Sequence, residues 1–150
     1  MRKWLQWALP GLIVLILDRW VKAAAAGITR ALIPGVIGLR PAKNTGMALG
    51  LFQGGTAGIL LLSAGVLALA FFLLRGMRLS GLAPLGLSMI LGGAIGNMLD
   101  RVTLGYVQDM LELLFVRFYI FNVADAGVVI GVILCAVSLL FRPQDWSKKS

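Results

Sequence analysis

No charged residue occurs between Lys43 and Arg75, none between Arg78 and Asp100, and none from Ala126 to Phe141. Crossing a hydrocarbon core of ~30 Å takes ~20 apolar residues in a helix, so these windows read as membrane spans. A further apolar run begins at Trp4 and is interrupted only near its end, by Asp18 and Arg19. The sequence therefore predicts an α-helical integral membrane protein with four transmembrane helices, over about 4–21, 56–74, 79–99 and 120–141, in a single domain covering 1–150. With 59% hydrophobic and only 13% charged residues, a soluble globule is excluded as a class.

The net charge of +8 comes from dispersed basic residues, half of them beside apolar segments. Nucleic-acid binding calls for a basic face with interleaved aromatics, which is absent, so lipid headgroups are the expected acidic partner. The lone cysteine, Cys135, sits mid-segment among aliphatic residues and fits a packing role. The chain has no histidine, which removes His-based triads and histidine zinc sites.

Residues 27–55 mix β-branched residues with Gly, Pro and Arg, which predicts short strands or an amphipathic surface piece between the first two helices. A second connection runs from Arg101 to Tyr119, whereas "RGMRLSG" alone joins the middle spans. Pro10, Gly11 and Pro84 are expected to bend or open their helices. Four spans put both termini on one side. Basic residues tie at seven on each side, and the short middle loop and tail favour cytoplasmic termini. The first apolar run and "AAAAG" also resemble a cleavable signal peptide, but Asp18, Arg19 and Lys22 stand where such a site wants small neutral residues.

Five of the six acidic residues, all but Asp145, fall on the side away from the termini. Asp18 and Lys22 form an i, i+4 pair there, read alone as an interfacial anchor. In "GGAIGNMLDR" Asn97, Asp100 and Arg101 share a helix face, with Arg101 expected to neutralise Asp100 as a clamp. Gly92 and Gly96 make a small-xxx-small pair for close helix approach. "NTGMALG" reads as a turn, and Asp109 in "YVQDMLELL" reads alone as a solvated interface residue. In "FNVAD", one helical turn puts Asn122 and Asp125 on one face at the head of an apolar segment. A carboxylate there costs about 2.5–3.5 kcal/mol even on the lenient insertion scale, so something must offset or use it. Paired carboxylates are the acid–base chemistry this chain offers, one keeping a proton while the other acts as base. Spacing leaves Asp100, Asp109, Glu112 and Asp125 all as candidates.

"NTGMALG", "GGAIGNMLDR", "VQDM" and "FNVAD", in that order and between four spans, resemble the lipoprotein signal peptidases (signal peptidase II), bacterial membrane aspartyl proteases. The likeness runs from about Asp18 to Phe141. It implies a catalytic dyad of Asp109 and Asp125, with Asn44, Asn97, Asp100, Arg101, Asn122, Asp18 and Lys22 as binding or supporting residues. It further implies an aspartic endopeptidase that removes signal peptides from diacylglyceryl-modified prolipoproteins, cleaving before the lipidated cysteine with no metal or cofactor. The expected partners are that substrate and membrane lipid, and the protein is expected to be a monomer. Its expected place is the bacterial inner membrane, with an extracytoplasmic site and an outer cradle formed by 27–55. Arg101 is expected to steady the site through Asp100. Val21, Leu49 and Met110 depart from the family pattern, which bears on substrate fit, and the 15 residues between Asp109 and Asp125 look short. The alternatives are a small transporter or channel subunit using the same acids as an ion relay, or a purely structural bundle.

Overall fold

The computed structural model describes residues 3–46 and 55–148. Leu49 and the second half of "NTGMALG" lie outside them. Helix α1 (Lys3–Ala24) leads into strands β1 (Arg30–Ile33) and β2 (Ile37–Asn44). Then come α2 (Thr56–Leu74), β3 (Met77–Leu79), α3 (Leu82–Leu104), β4 (Val107–Leu113), α4 (Val123–Phe141) and β5 (Trp146–Lys148). Among the described residues α2, α3 and α4 are each long and apolar enough to cross a membrane.

Missing side chains pack α3. A methyl group at Gly92 would strike the Gly11 carbonyl of α1, and one at Gly93 would strike the Ala124 carbonyl of α4. Gly86 and Gly131 meet in the same way further along α3 and α4. The expected small-residue contact is therefore present, and it extends to both neighbouring helices. Helix α2 differs: of its residues only Ile59 is buried, Ser63, Leu67, Ala70 and Leu74 continue that face half-buried, and Leu61, Leu62, Val66, Leu69 and Phe71–Leu73 are exposed on the others. Such a helix is solvated by lipid on most sides and touches the bundle lightly.

The second span falls on α2 as read, while the other boundaries move. The third helix begins at Leu82, because Met77–Leu79 pairs antiparallel with Trp146–Lys148. The chain turns into α3 through Gly81 (φ 56°), and the Asp145 carboxylate accepts from Leu82 N at 3.1 Å. Pro84 thus sits in the first helical turn, where a proline removes no helical hydrogen bond, and does not bend the span. Pro10 lies inside α1, and the neighbouring Gly11 N donates to Ser88 Oγ of α3 at 3.2 Å. Helix α4 starts at Val123 rather than near 120, since Asn122 caps it.

Residues 27–46 supply the expected strands. They turn through Pro34–Gly35 (Gly35 φ 73°) and pair antiparallel as β1–β2–β4. Strand β4 lies within the stretch read from sequence as a plain connection. Its register sets Ala42 opposite Asp109 and Asn44 opposite Val107. Beneath this sheet Met110, Ala25 and Leu39 form a buried cluster with Val21 and Leu111 against it. Two of the departures from the family pattern, Val21 and Met110, therefore pack within one apolar cluster.

Candidate active site

Strand β4 and the head of α4 bring Asp109 and Asp125 to one place. Asn122 joins them. Its side-chain Nδ2 donates to Asp109 Oδ1 at 2.6 Å, and its backbone N donates to Asp125 Oδ2 at 3.3 Å. The Asn122 side-chain oxygen in turn accepts from Asp125 N at 2.8 Å, completing a reciprocal capping box. That is the local reason an Asn and an Asp three apart head an apolar helix: each satisfies an otherwise orphaned N–H of the first turn. Asn44 Nδ2 donates to Asp109 Oδ2 at 3.0 Å, and Asn97 Nδ2 donates to Asp125 Oδ1 at 2.7 Å. Asn122 Nδ2 also reaches Asn97 Oδ1 at 3.1 Å, so three asparagines and two aspartates form one network.

Asp109 is not the solvated residue that its sequence setting suggests, since it is only 2% exposed. Burial, with Asp125 nearby, pushes its carboxyl up to about 6, against the opposing hydrogen bonds from Asn44 and Asn122. Such a group holds a proton far closer to neutrality than an ordinary aspartate does.

Asp125, Asn97 and Arg101 open into a cavity of about 380 Å³ between α2, α3 and α4. Its remaining walls are mostly apolar and include Ile59, Met98, Val128 and Val129. Arg101 does not clamp Asp100 as expected. Its Nη2 donates to Gly46 O at 2.9 Å and its Nη1 to Asn97 O at 3.4 Å. The two residues are successive on α3, about 100° apart around the axis, and they serve different faces.

Asp100 is instead paired with Arg19 and with Lys22, whose Nζ lies 2.7 Å away. Lys22 also meets Asp18 at 2.8 Å, so the early i, i+4 pair is buried behind the site and is not an interfacial anchor. Glu112 stands apart from this network: further along β4, it pairs with Arg40 of β2 at 2.8 Å. The sequence alone assigns no role to Arg19, whose only signal is its place beside Asp18, or to Gln108, whose only signal is its place beside Asp109 in "VQDM". Among the described residues no group of His, Cys, Asp and Glu is arranged to hold a metal ion.

An acidic pair gripped by amide donors, beside an apolar cavity between membrane-length helices, defines a membrane-embedded acid–base enzyme. Residues 11–141 match the family described as signal peptidase (SPase) II. A lipoprotein signal peptidase of Lactobacillus johnsonii is 37% identical over 87% of this chain and 88% of its own length. One of Enterococcus faecalis is 39% identical over 83% and 81%. A bacterial membrane enzyme solved by the in meso method at 2.3 Å resolution superposes with a TM-score of 0.81 at 27% identity, covering 97% of this chain and 93% of that one. The chain belongs to the signal peptidase II family, and it is therefore an aspartic peptidase of lipoprotein processing. The ion-relay reading has no support in these likenesses.

Proposed function

We propose that Asp109 and Asp125 are the catalytic dyad, and that the chain removes the signal peptide from diacylglyceryl-modified bacterial prolipoproteins by cutting before the lipidated cysteine. The observation that carries this reading is the Asn122 bridge between two carboxyls beside an apolar cavity. One carboxylate takes a proton from water as the water attacks the scissile carbonyl. The other, protonated, donates to the carbonyl oxygen. The tetrahedral intermediate collapses with proton delivery to the leaving amine, so no acyl-enzyme forms. The raised proton affinity of Asp109 supports a pair that keeps one proton toward neutral pH. Asn44, Asn97 and Asn122 orient the carboxyls. Arg101 steadies the site through Gly46 and Asn97.

The surroundings follow from the substrate. Helix α1 crosses the membrane with the other three, both termini are cytoplasmic, and the dyad faces the outer side of the bacterial inner membrane. The β1–β2–β4 sheet is the cradle that lies on that surface against the substrate. The whole chain is one peptidase domain and works as a monomer. The diacylglycerol is part of what is recognised, since buried acyl chains contribute ~0.8 kcal/mol per CH₂, less what the bilayer already gives them.

The test is turnover by purified protein of a lipidated and an unlipidated form of one prolipoprotein. Cleavage of the lipidated form alone is expected. Equal rates on both would refute lipid recognition, and no cleavage of either would refute the reading.

A further inference from the structure

Behind the acidic pair, four charged side chains occupy the junction of α1, α3, β4 and α4. Asp18, Lys22 and Asp100 are buried, and Arg19 is partly so. Lys22 Nζ bridges Asp18 Oδ2 at 2.8 Å and Asp100 Oδ2 at 2.7 Å, and the Arg19 guanidinium joins the same two carboxylates from its own side. Each carboxylate has one further partner. Asp18 Oδ1 accepts from Ala124 N at 3.0 Å, and Asp100 Oδ2 accepts from Gln108 N at 3.1 Å. Ala124 immediately precedes Asp125, and Gln108 immediately precedes Asp109. The Gln108 side chain adds a second tie, donating from Nε2 to Lys22 O at 3.2 Å.

We propose that Asp18, Arg19, Lys22 and Asp100 form a neutral bracket that sets the separation of Asp109 and Asp125 by fixing the backbone amide before each one. The inference rests on the dyad assignment made above. Two negative and two positive charges cancel. A buried cluster of this kind adds little net stability once desolvation is counted, so what it supplies is fixed geometry. Gly96 makes room for it: a methyl group there would lie 3.2 Å from Asp18 Oδ2, and the Gly96 carbonyl accepts from Arg19 Nη2. None of the four residues lines the cavity. They are positioning residues, acting on the dyad through two peptide groups.

The test uses the full chain in detergent with a lipidated precursor. An uncleavable lipidated peptide counts the sites able to bind. Lys22→Met leaves an excess negative charge buried. The double variant Asp18→Asn/Lys22→Met restores neutrality and keeps an oxygen for Ala124 N, while removing the bridge. Both are expected to bind the peptide at wild-type stoichiometry with KM changed by no more than about twofold. Their kcat per binding site should fall roughly ten- to hundredfold, the scale of a sub-ångström to 1 Å misplacement. Wild-type kcat per site in the double variant overturns the bracket. So does a loss confined to the number of binding sites, which would mark a merely structural cluster. Asp109→Asn is the control: if it still turns over, the dyad assignment falls, and the bracket with it. If it is inactive while the double variant is unimpaired, the bracket alone falls.

Discussion

Asn122 holds Asp109 by its side-chain amide at 2.6 Å while the same side chain caps α4 through its oxygen. One residue thus fixes an acid and starts the helix that carries another. The two roles separate on substitution. Asn122→Ser keeps a good cap but cannot reach Asp109, whereas Asn122→Ala loses both. We expect the alanine variant to be less stable than the serine variant by about 1 kcal/mol, the usual worth of an N-cap. Both should lose activity to a similar degree. Melting in detergent alongside turnover decides it, and a serine variant with wild-type kcat would remove Asn122 from the orienting set.

Asn44 acts on proton affinity. Its amide donates to Asp109 Oδ2 at 3.0 Å and favours the ionised carboxylate, partly opposing burial and Asp125. Asn44→Ala withdraws that donor, so the Asp109 carboxyl should rise above its present value of about 6. The limb of the pH–rate profile that tracks this group should move to higher pH by up to about one unit. A limb that stays put, or moves down, contradicts the assignment.

The same shift has a stability consequence. Asp109 binds its proton more tightly folded than unfolded, with a carboxyl raised from 3.8 to about 6. Between those values the native state holds more protons, so this group's contribution to stability is present below about pH 4 and is lost as pH rises through about 6. The full loss is bounded at about 3 kcal/mol, at 1.36 kcal/mol per pKa unit. Asp109→Asn cannot titrate. Its melting temperature should therefore lack this fall between about pH 4 and pH 7, and parallel melting curves for the two proteins would argue against a raised Asp109.

How much of this was legible in the sequence depends on the range of each interaction. Charge-free windows point to the helices. Asn44, Asn97, Asp109, Asn122 and Asp125 are singled out as a set only by the family resemblance of their motifs, since spacing alone leaves Asp100, Asp109, Glu112 and Asp125 open. Strand β4 was hidden because Asp109 and Met110 are successive and both buried, which erases a period-two pattern. Strands β3 and β5 are three residues each and exist only through a pairing across nearly seventy positions. The partners of Asp100 were misread for the same reason. A neighbour in sequence, Arg101, looked sufficient, while the cations that neutralise it come from α1, 81 residues away in the case of Arg19.

At the opposite end of the bundle Asp145 accepts from Ser138 Oγ at 2.9 Å, Leu82 N at 3.1 Å and Ser80 Oγ at 3.3 Å. Trp146 Nε1 donates to Ser138 Oγ at 3.0 Å, closing a clasp between the tail and the start of α3. Asp145→Ala leaves those donors without their acceptor in a largely buried setting. A lower melting temperature is expected, with KM and kcat at permissive temperature unchanged. A selective fall in kcat would show that the clasp communicates with the distant acidic pair.

Asp109 and Asp125 should fail together. Either one changed to Asn keeps nearly the same shape and leaves the capping box or the β4 pairing able to form. An amide, however, can neither take a proton from water nor deliver one to the leaving amine. Each single variant should therefore bind the lipidated precursor while losing cleavage by several orders of magnitude. The two carboxyls are joined through Asn122, and in the proposed mechanism they act on one water, so their contributions should not be independent. The double variant should be little slower than either single, as for residues that work as a unit. Multiplicative losses would mean two separate tasks. Near-normal turnover by either single variant would take that residue out of the chemistry and return Asp100 to the candidate acids, in place of its part in the bracket.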